Sequence, residues 1–491
     1  MEQPSIKQKA LKGFFWSFIE RFGTLFILFL SNVILARLLS PSDYGLIGMM
    51  TVFITLSNIL IDGGLGSALI QRKNPTNKDY STIFFLNIFI ATICYLLIYF
   101  SAKSIGSFYN QSQLELLLKV LGVVLIIDAF STIQNNILIK KLNFKRITII
   151  KISSASTSVI ISIILAYKGY GVWSLVVQSL TNSLIRSILL WWFTNWYPIW
   201  CFSIESFKSL FNFSSKLLLA SLLSEGYRNL QLLIIGKFFP AKEVGYFTQA
   251  KQLENVPVSS LIAIINQVTY PIFSQIQDNP KELINKLRRC FKLLAFINFP
   301  LMILLTIIAP SLFLFLYSEK WLPAVPYFQW LCVGFGLLLV IHNTNLNALK
   351  AIGRSDIVLY LEIAKKILGI TFIFAFMKFG VIGILWALTL NSIIEFFINS
   401  YFTGKYLSYG TKQQIKDILP ILLYASLTGI IVHSISYVVS FNGIILMLIQ
   451  TIIYIILYFL GSYILKFEIA NYIFNEFLKK YTYAKANKRK D

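Results

Sequence analysis

Two histidines and four cysteines in 491 residues leave little material for imidazole catalysis, zinc chemistry or a disulfide framework. Cys94, Cys201, Cys290 and Cys332 lie in or beside apolar runs without CxxC spacing, so we expect neither a metal nor a disulfide. Charge is scarce too: 13% of residues are charged and 56% are hydrophobic, with a mean hydropathy of +0.70. A soluble domain is roughly 25% charged, and a soluble chain could not cover so much apolar surface. The solvent is therefore lipid. Acids are the scarcer sign, 21 Asp and Glu against 44 Lys and Arg, for a net charge of +23. The chain also lacks a GxxxxGK[ST] loop for nucleotide phosphates, an Asp-x-Asp metal motif and a link long enough for a soluble catalytic domain.

What is present is a succession of long apolar stretches. The first, Phe14 to Ala36, follows Lys7, Lys9 and Lys12; it is too long for a signal-peptide core and lacks a small-residue cleavage site. With about 20 residues needed to cross the hydrocarbon, the sequence predicts spans near 14–36, 44–62, 82–101, 115–134, 147–167, 172–193, 210–235, 246–273, 292–316, 325–347, 357–378, 381–402, 418–439 and 443–465. That is an all-α integral membrane protein of about 14 transmembrane helices. If the N-terminus is cytoplasmic, the links place 28 Lys and Arg on that side and seven outside, which predicts both termini inside. Most of the basic excess is thus a topology signal, and no nucleic-acid partner is expected.

Self-comparison predicts a duplication. Ala36-Arg37-Leu38-Leu39-Ser40-Pro41-Ser42-Asp43-Tyr44-Gly45 matches Gly236-Lys237-Phe238-Phe239-Pro240-Ala241-Lys242-Glu243-Val244-Gly245 at an offset of 200. Gly171-Val172 and Asn182-Ser183 match Gly380-Val381 and Asn391-Ser392 at 209, with Phe144-Lys145 meeting Gly353-Arg354 in that register. We expect two parallel six-helix repeats around a central cavity, an N-lobe at 1–200 and a C-lobe at 201–407. Two further helices at 408–470 and a basic cytoplasmic tail at 471–491 complete the chain. Parallel repeats predict alternating access by rocking of the lobes. Ser40, Pro41 and Asp43 are placed to cap the second helix.

The stretch ARLLSPSDYGLIGM, followed by Asp62-Gly63-Gly64-Leu65-Gly66-Ser67-Ala68-Leu69-Ile70-Gln71-Arg72-Lys73, resembles the N-terminal signature of Wzx-type polysaccharide flippases of the multidrug/oligosaccharidyl-lipid/polysaccharide exporter superfamily. The resemblance extends to length, span count and duplication. It implies translocation of undecaprenyl-pyrophosphate-linked oligosaccharide repeat units, for O-antigen, capsule or exopolysaccharide, from the cytoplasmic to the periplasmic leaflet. Its implied partners are that lipid-linked substrate, membrane lipids and other polysaccharide-assembly proteins.

Ionisable groups inside spans are costly and so are functional candidates. Eight are basic and six acidic. Glu225 with Arg228, Lys251 with Glu254, and Glu362 with Lys365 or Lys366 are spaced to pair on one helix face, and Lys151 can snorkel to the cytoplasmic boundary. Arg21, Arg186, Lys216 and Arg228, with Lys365 and Lys366, are the candidates for a cationic cavity that holds a pyrophosphate. Asp128 and Glu395, as lone intramembrane carboxylates, are the candidates for coupling to H⁺ or Na⁺; Asn343, Asn345 and Asn347 are candidates for sugar contacts. Interhelical hydrogen bonding is the alternative role for these asparagines. We expect no cofactor, the drive coming from an ion gradient, the membrane potential or product removal. Two other readings stay open: an ion-coupled drug or metabolite antiporter of the same superfamily, and an integral-membrane polysaccharide polymerase. Only the last is an enzyme.

Overall fold

The computed structural model describes residues 6–276, 278–438 and 443–471; the expected basic tail lies outside them apart from its first residue. The described residues are helical and contain no strand. In chain order the helices are α1 (Ile6–Leu38), α2 (Pro41–Asp62), α3 (Leu65–Gln71), α4 (Asn77–Phe108), α5 (Gln113–Leu121), α6 (Val123–Lys140), α7 (Phe144–Tyr167), α8 (Trp173–Thr194) and α9 (Ile204–Phe238). Then follow α10 (Ala241–Gln275), α11 (Pro280–Tyr317), α12 (Val325–Trp330), α13 (Leu337–Ala351), α14 (Ser355–Phe376), α15 (Gly380–Leu407), α16 (Thr411–Val438) and α17 (Gly443–Ile464). Three pairs, α2 with α3, α5 with α6 and α12 with α13, each continue one another across a short break. Joined so, the described helices make the fourteen passes that hydropathy predicts.

Ten helical stretches are long and apolar enough to cross a membrane; α14 and α15 together form one of these, Asp356–Leu407. The passes that fall short are α8, α9 and α10, which carry Arg186, Lys216, Glu225, Arg228, Lys251 and Glu254. Helices with such residues must turn one face away from lipid.

The chain divides into two compact units, Met1–Thr248 and Gln249–Asp491, so the division falls within α10. It lies beyond the repeat boundary expected at 200 because α9 packs on α2, α3 and α4 of the first unit. In that unit α7 lies between α1 and α8, and α6 packs on α4 and α8. In the second, α11 packs on α13, α16 and α17, while α15 packs on α13 and α14.

The repeated motif has a direct structural role. Ser40 Oγ accepts from the Asp43 N–H at 3.3 Å while the Ser40 N–H donates to Asp43 Oδ2 at 2.9 Å, so the expected cap forms. Behind it, the start of α2 crosses the start of α10 at two glycines. A Cβ on Gly45 would stand 1.8 Å from the Ala241 carbonyl oxygen, and one on Gly245 would stand 1.9 Å from that of Pro41. Positions related by the 200-residue offset therefore meet reciprocally, backbone on backbone.

Candidate functional site

The signature Asp62-Gly63-Gly64-Leu65-Gly66 builds the mouth of a cleft in the first unit. Gly63 and Gly64 adopt φ of 54° and 73°, the left-handed region that glycine enters without strain, and end α2 before α3 begins. Gly66 has no room for a side chain: a Cβ there would meet Asn136 Nδ2 at 2.7 Å and Asp62 Oδ1 at 2.8 Å. The turn holds the Asp62 carboxylate against the Gly64 and Gly66 backbone N–H groups.

From that turn a cleft of about 500 Å³ runs between α2, α3 and α9. Its polar lining is Thr55, Asn58, Asp62, Ser67, Ser221, Glu225 and Arg228. Arg228 is exposed and its Nη2 lies 2.8 Å from Glu225 Oε2. The cleft thus offers one guanidinium fork, two carboxylates, hydroxyls and an amide, donors and acceptors for a polar ligand.

This differs from a purely cationic cavity. The Arg228 pairing follows the three-residue spacing, but Arg186 is not unpaired and Asp128 is not a lone carboxylate: Arg186 Nη2 on α8 lies 2.6 Å from Asp128 Oδ1 on α6. Spacing could not reveal a partner 58 residues away. The bridge is partly buried, so removing one partner strands the other charge. Arg186→Ala is expected to destabilise the detergent-solubilised protein by about 2 kcal/mol. Thermal unfolding of Arg186→Ala beside the double variant Arg186→Gln/Asp128→Asn checks this: the double variant should recover most of the loss.

Lys151 finds an acid, Glu20 on α1, at 2.8 Å. Its neighbour Arg21 is exposed on α1 and, among the described residues, has no ion-pair partner. Lys216 lies in α9, its side chain outside the described residues.

The other candidates belong to the second unit. Lys365 is buried on α14, 2.5 Å from Glu362 Oε1 and 3.4 Å from Asn399 Oδ1; Lys366, the next residue, is half-buried. Asn345 accepts from Thr403 and Gln414 and donates back to Gln414, tying α13 to α15 and α16. Asn347 donates to Thr269 on α10 at 3.2 Å, and Asn343 donates to the Leu339 carbonyl oxygen of its own helix. These are interhelical and intrahelical bonds between protein groups. Glu395 also has a partner: His342 Nδ1 lies 3.3 Å from its Oε2, and Asn391 donates to its Oε1 at 2.8 Å.

Asp62, Asn58 and Ser221 entered the cleft unannounced by composition or spacing. The one available signal for Asp62 was its place before a Gly-Gly pair, which marks a sharp turn but not what the turn faces.

The solved structure of the lipid II flippase MurJ in an inward closed conformation superposes with a TM-score of 0.75 at 18% identity, over 93% of this chain and 98% of that one. An inward-facing multidrug resistance MATE family transporter of the MOP superfamily gives a TM-score of 0.59 at 16% identity, over 82% and 95%. These show the fold. In sequence, the chain is 26% identical to the teichuronic acid biosynthesis protein TuaB of Bacillus subtilis strain 168, over 88% of this chain and 90% of that protein. It is 25% identical to the lipopolysaccharide biosynthesis protein WzxC of Escherichia coli strain K12, over 80% and 81%. A similarity of 21% covers 74% of this chain and 74% of the succinoglycan biosynthesis transport protein ExoT of Rhizobium meliloti strain 1021. The model of the polysaccharide biosynthesis protein family matches residues 34–326, more than half of the chain, and this multi-pass membrane protein belongs to that family.

Proposed function

We propose that this protein is a flippase, not an enzyme, that carries oligosaccharide repeat units linked to undecaprenyl pyrophosphate from the cytoplasmic to the outer leaflet of the inner membrane, with both termini cytoplasmic. The observation that carries this reading is the cleft of the first unit: Arg228 stands beside Asn58, Asp62, Ser67, Ser221 and Glu225 within membrane-spanning helices. A guanidinium can hold a diphosphate bidentately, while carboxylates, amide and hydroxyls match sugar hydroxyls. Neither group could cross hydrocarbon unpaired without a cost of several kcal/mol. Similarity to proteins named for teichuronic acid, lipopolysaccharide and succinoglycan supports a glycan cargo. Arg21, free of an ion pair among the described residues, is a second anchor for the anionic lipid head. Alternating access by rocking of two related lobes is the mechanism that the duplication favours.

Deleting the gene and analysing lipid-linked saccharides tests the cargo. A complete repeat unit is expected to accumulate on the cytoplasmic leaflet. A truncated unit would mean an enzymatic step instead, and unchanged saccharides together with lost resistance to cationic dyes would mean a drug antiporter.

A further inference from the structure

The second unit contains a buried polar cluster that the glycan reading does not use. Leu331–Gly336, between α12 and α13, is π-helical, which frees backbone carbonyls and resets the register of the helix that follows. Asn298 of α11 takes up the freed groups, its Nδ2 donating to the Gly336 and Leu337 carbonyl oxygens at 3.0 Å each. Beyond this turn α13 carries His342, whose side chain is 3% exposed.

Among the described residues, neither ring nitrogen of His342 makes a hydrogen bond; its Nδ1 is 3.3 Å from Glu395 Oε2, within ion-pair distance but not aligned as a hydrogen bond. On α15 beside Glu395, Asn391 Oδ1, Ser392 Oγ and Asn399 Nδ2 are also buried without a partner among the described residues. A neutral imidazole here leaves one N–H and one lone pair unmatched, and among the described residues Glu395 keeps the Asn391 amide as its hydrogen-bond donor. An imidazolium instead neutralises the carboxylate, and a small turn of the ring brings its Nδ1–H into line with Glu395 Oε2. Glu395 is 21% exposed while His342 is enclosed, so the carboxylate is the side of the pair open to its surroundings.

We infer that His342 and Glu395 together form a proton-binding site. A proton arriving at Glu395 Oε2 passes to His342 Nδ1, converting carboxylate plus neutral imidazole into a carboxylate–imidazolium pair; the reverse step returns it. Uptake changes the charge of the site by one and replaces a loose contact between α13 and α15 with a charge-assisted bond.

Some of the charged groups on the neighbouring helices already have protein partners. Lys365 of α14 is held by Glu362, and Lys366 follows it on the same helix. Glu254 of α10 lies beside Gly336, where a Cβ would be 3.1 Å from its Oε1, and that oxygen is buried without a hydrogen bond among the described residues. Cys332 sits in the π-helical turn. From α11 the turn meets the neutral Asn298, and Asp417 of α16 is bound by Arg288. Among the described residues, none of these hydrogen-bonds either ring nitrogen of His342.

The scarcity of histidine makes the site directly observable. His433, exposed on α16, is the other imidazole of the chain, so His433→Gln leaves His342 as the single histidine. With ring-¹⁵N histidine in the full chain, reconstituted in lipid nanodiscs, the signals are expected to switch from the neutral to the imidazolium pattern between roughly pH 9 and pH 5. Adding Glu395→Gln should make the switch require at least tenfold more protons. Should that variant fail to fold, Glu395→Asp, with a shorter reach, is expected to move the switch in the same direction. Glu115→Gln, at a surface ion pair of the first unit, should leave it in place. Ring signals that stay constant across this range, or a switch that neither Glu395 variant moves, would overturn the inference. The readout needs no cargo, so it stands or falls separately from the flippase reading.

Discussion

Valine at Gly45 or Gly245 is expected to remove folded protein from the membrane. At each position even the first carbon of a side chain would lie within 2 Å of a carbonyl oxygen, Ala241 for Gly45 and Pro41 for Gly245. The obstacle is backbone, not the end of a flexible side chain, so relief requires the crossing of α2 and α10 to open. Overpacking of a tight contact costs on the order of 3 kcal/mol, and this overlap stands at the severe end. Alanine at either position should lower the thermal midpoint of the solubilised protein by several degrees, and valine should abolish a monodisperse peak in size-exclusion chromatography. Gly226, in α9 with nothing within 4 Å of a Cβ, is the control. Gly226→Ala should be neutral. Equal behaviour of Gly45→Val and Gly226→Ala would refute the close crossing.

Loss of export is expected for Arg228→Ala with the protein still present in the membrane. Arg228 is exposed and engages one group of the protein, Glu225, so its removal disturbs packing little. It does strip the cleft of its guanidinium and leaves Asp62 and Glu225 facing an anionic ligand. Hydrogen bonds to charged groups contribute about 1.5–3 kcal/mol, so export should fall roughly 10- to 100-fold. Lysine keeps the charge but not the bidentate fork, and Arg228→Lys should retain an intermediate rate. Glycan at the cell surface, measured against the membrane level of each variant, separates the outcomes. Normal export by Arg228→Ala and by Arg21→Ala would remove both residues from the proposed site.

The fold was legible because its signals are local. Apolar stretches of about 20 residues, short links and the Ser40-Pro41-Asp43 cap each occupy neighbouring positions, and the structure reproduces them as α1 to α17. The short breaks were less legible. A Gly-Gly pair such as Gly63-Gly64 is a local mark of a turn, whereas the π-helical Leu331–Gly336 follows from how α12 and α13 must fit against α11 and α15. The site was partly legible. Arg228 appears as a candidate cation and its pairing with Glu225 follows from helix periodicity. The remainder of the cleft comes from three helices that meet only after folding.

Sequence by itself determined the solvent and the number of passes, because burial in hydrocarbon acts on each stretch of chain independently of its neighbours. It also set the repeat whose two glycines come to oppose each other. Only the tertiary structure decided which buried charges are neutralised: Arg186 by Asp128, Lys151 by Glu20, and Glu395 beside His342. Such pairing depends on the rotation and depth of each helix against another, and the energy of a charge in a low-dielectric interior changes by kilocalories over a few ångströms. One-dimensional spacing carries no record of those distances.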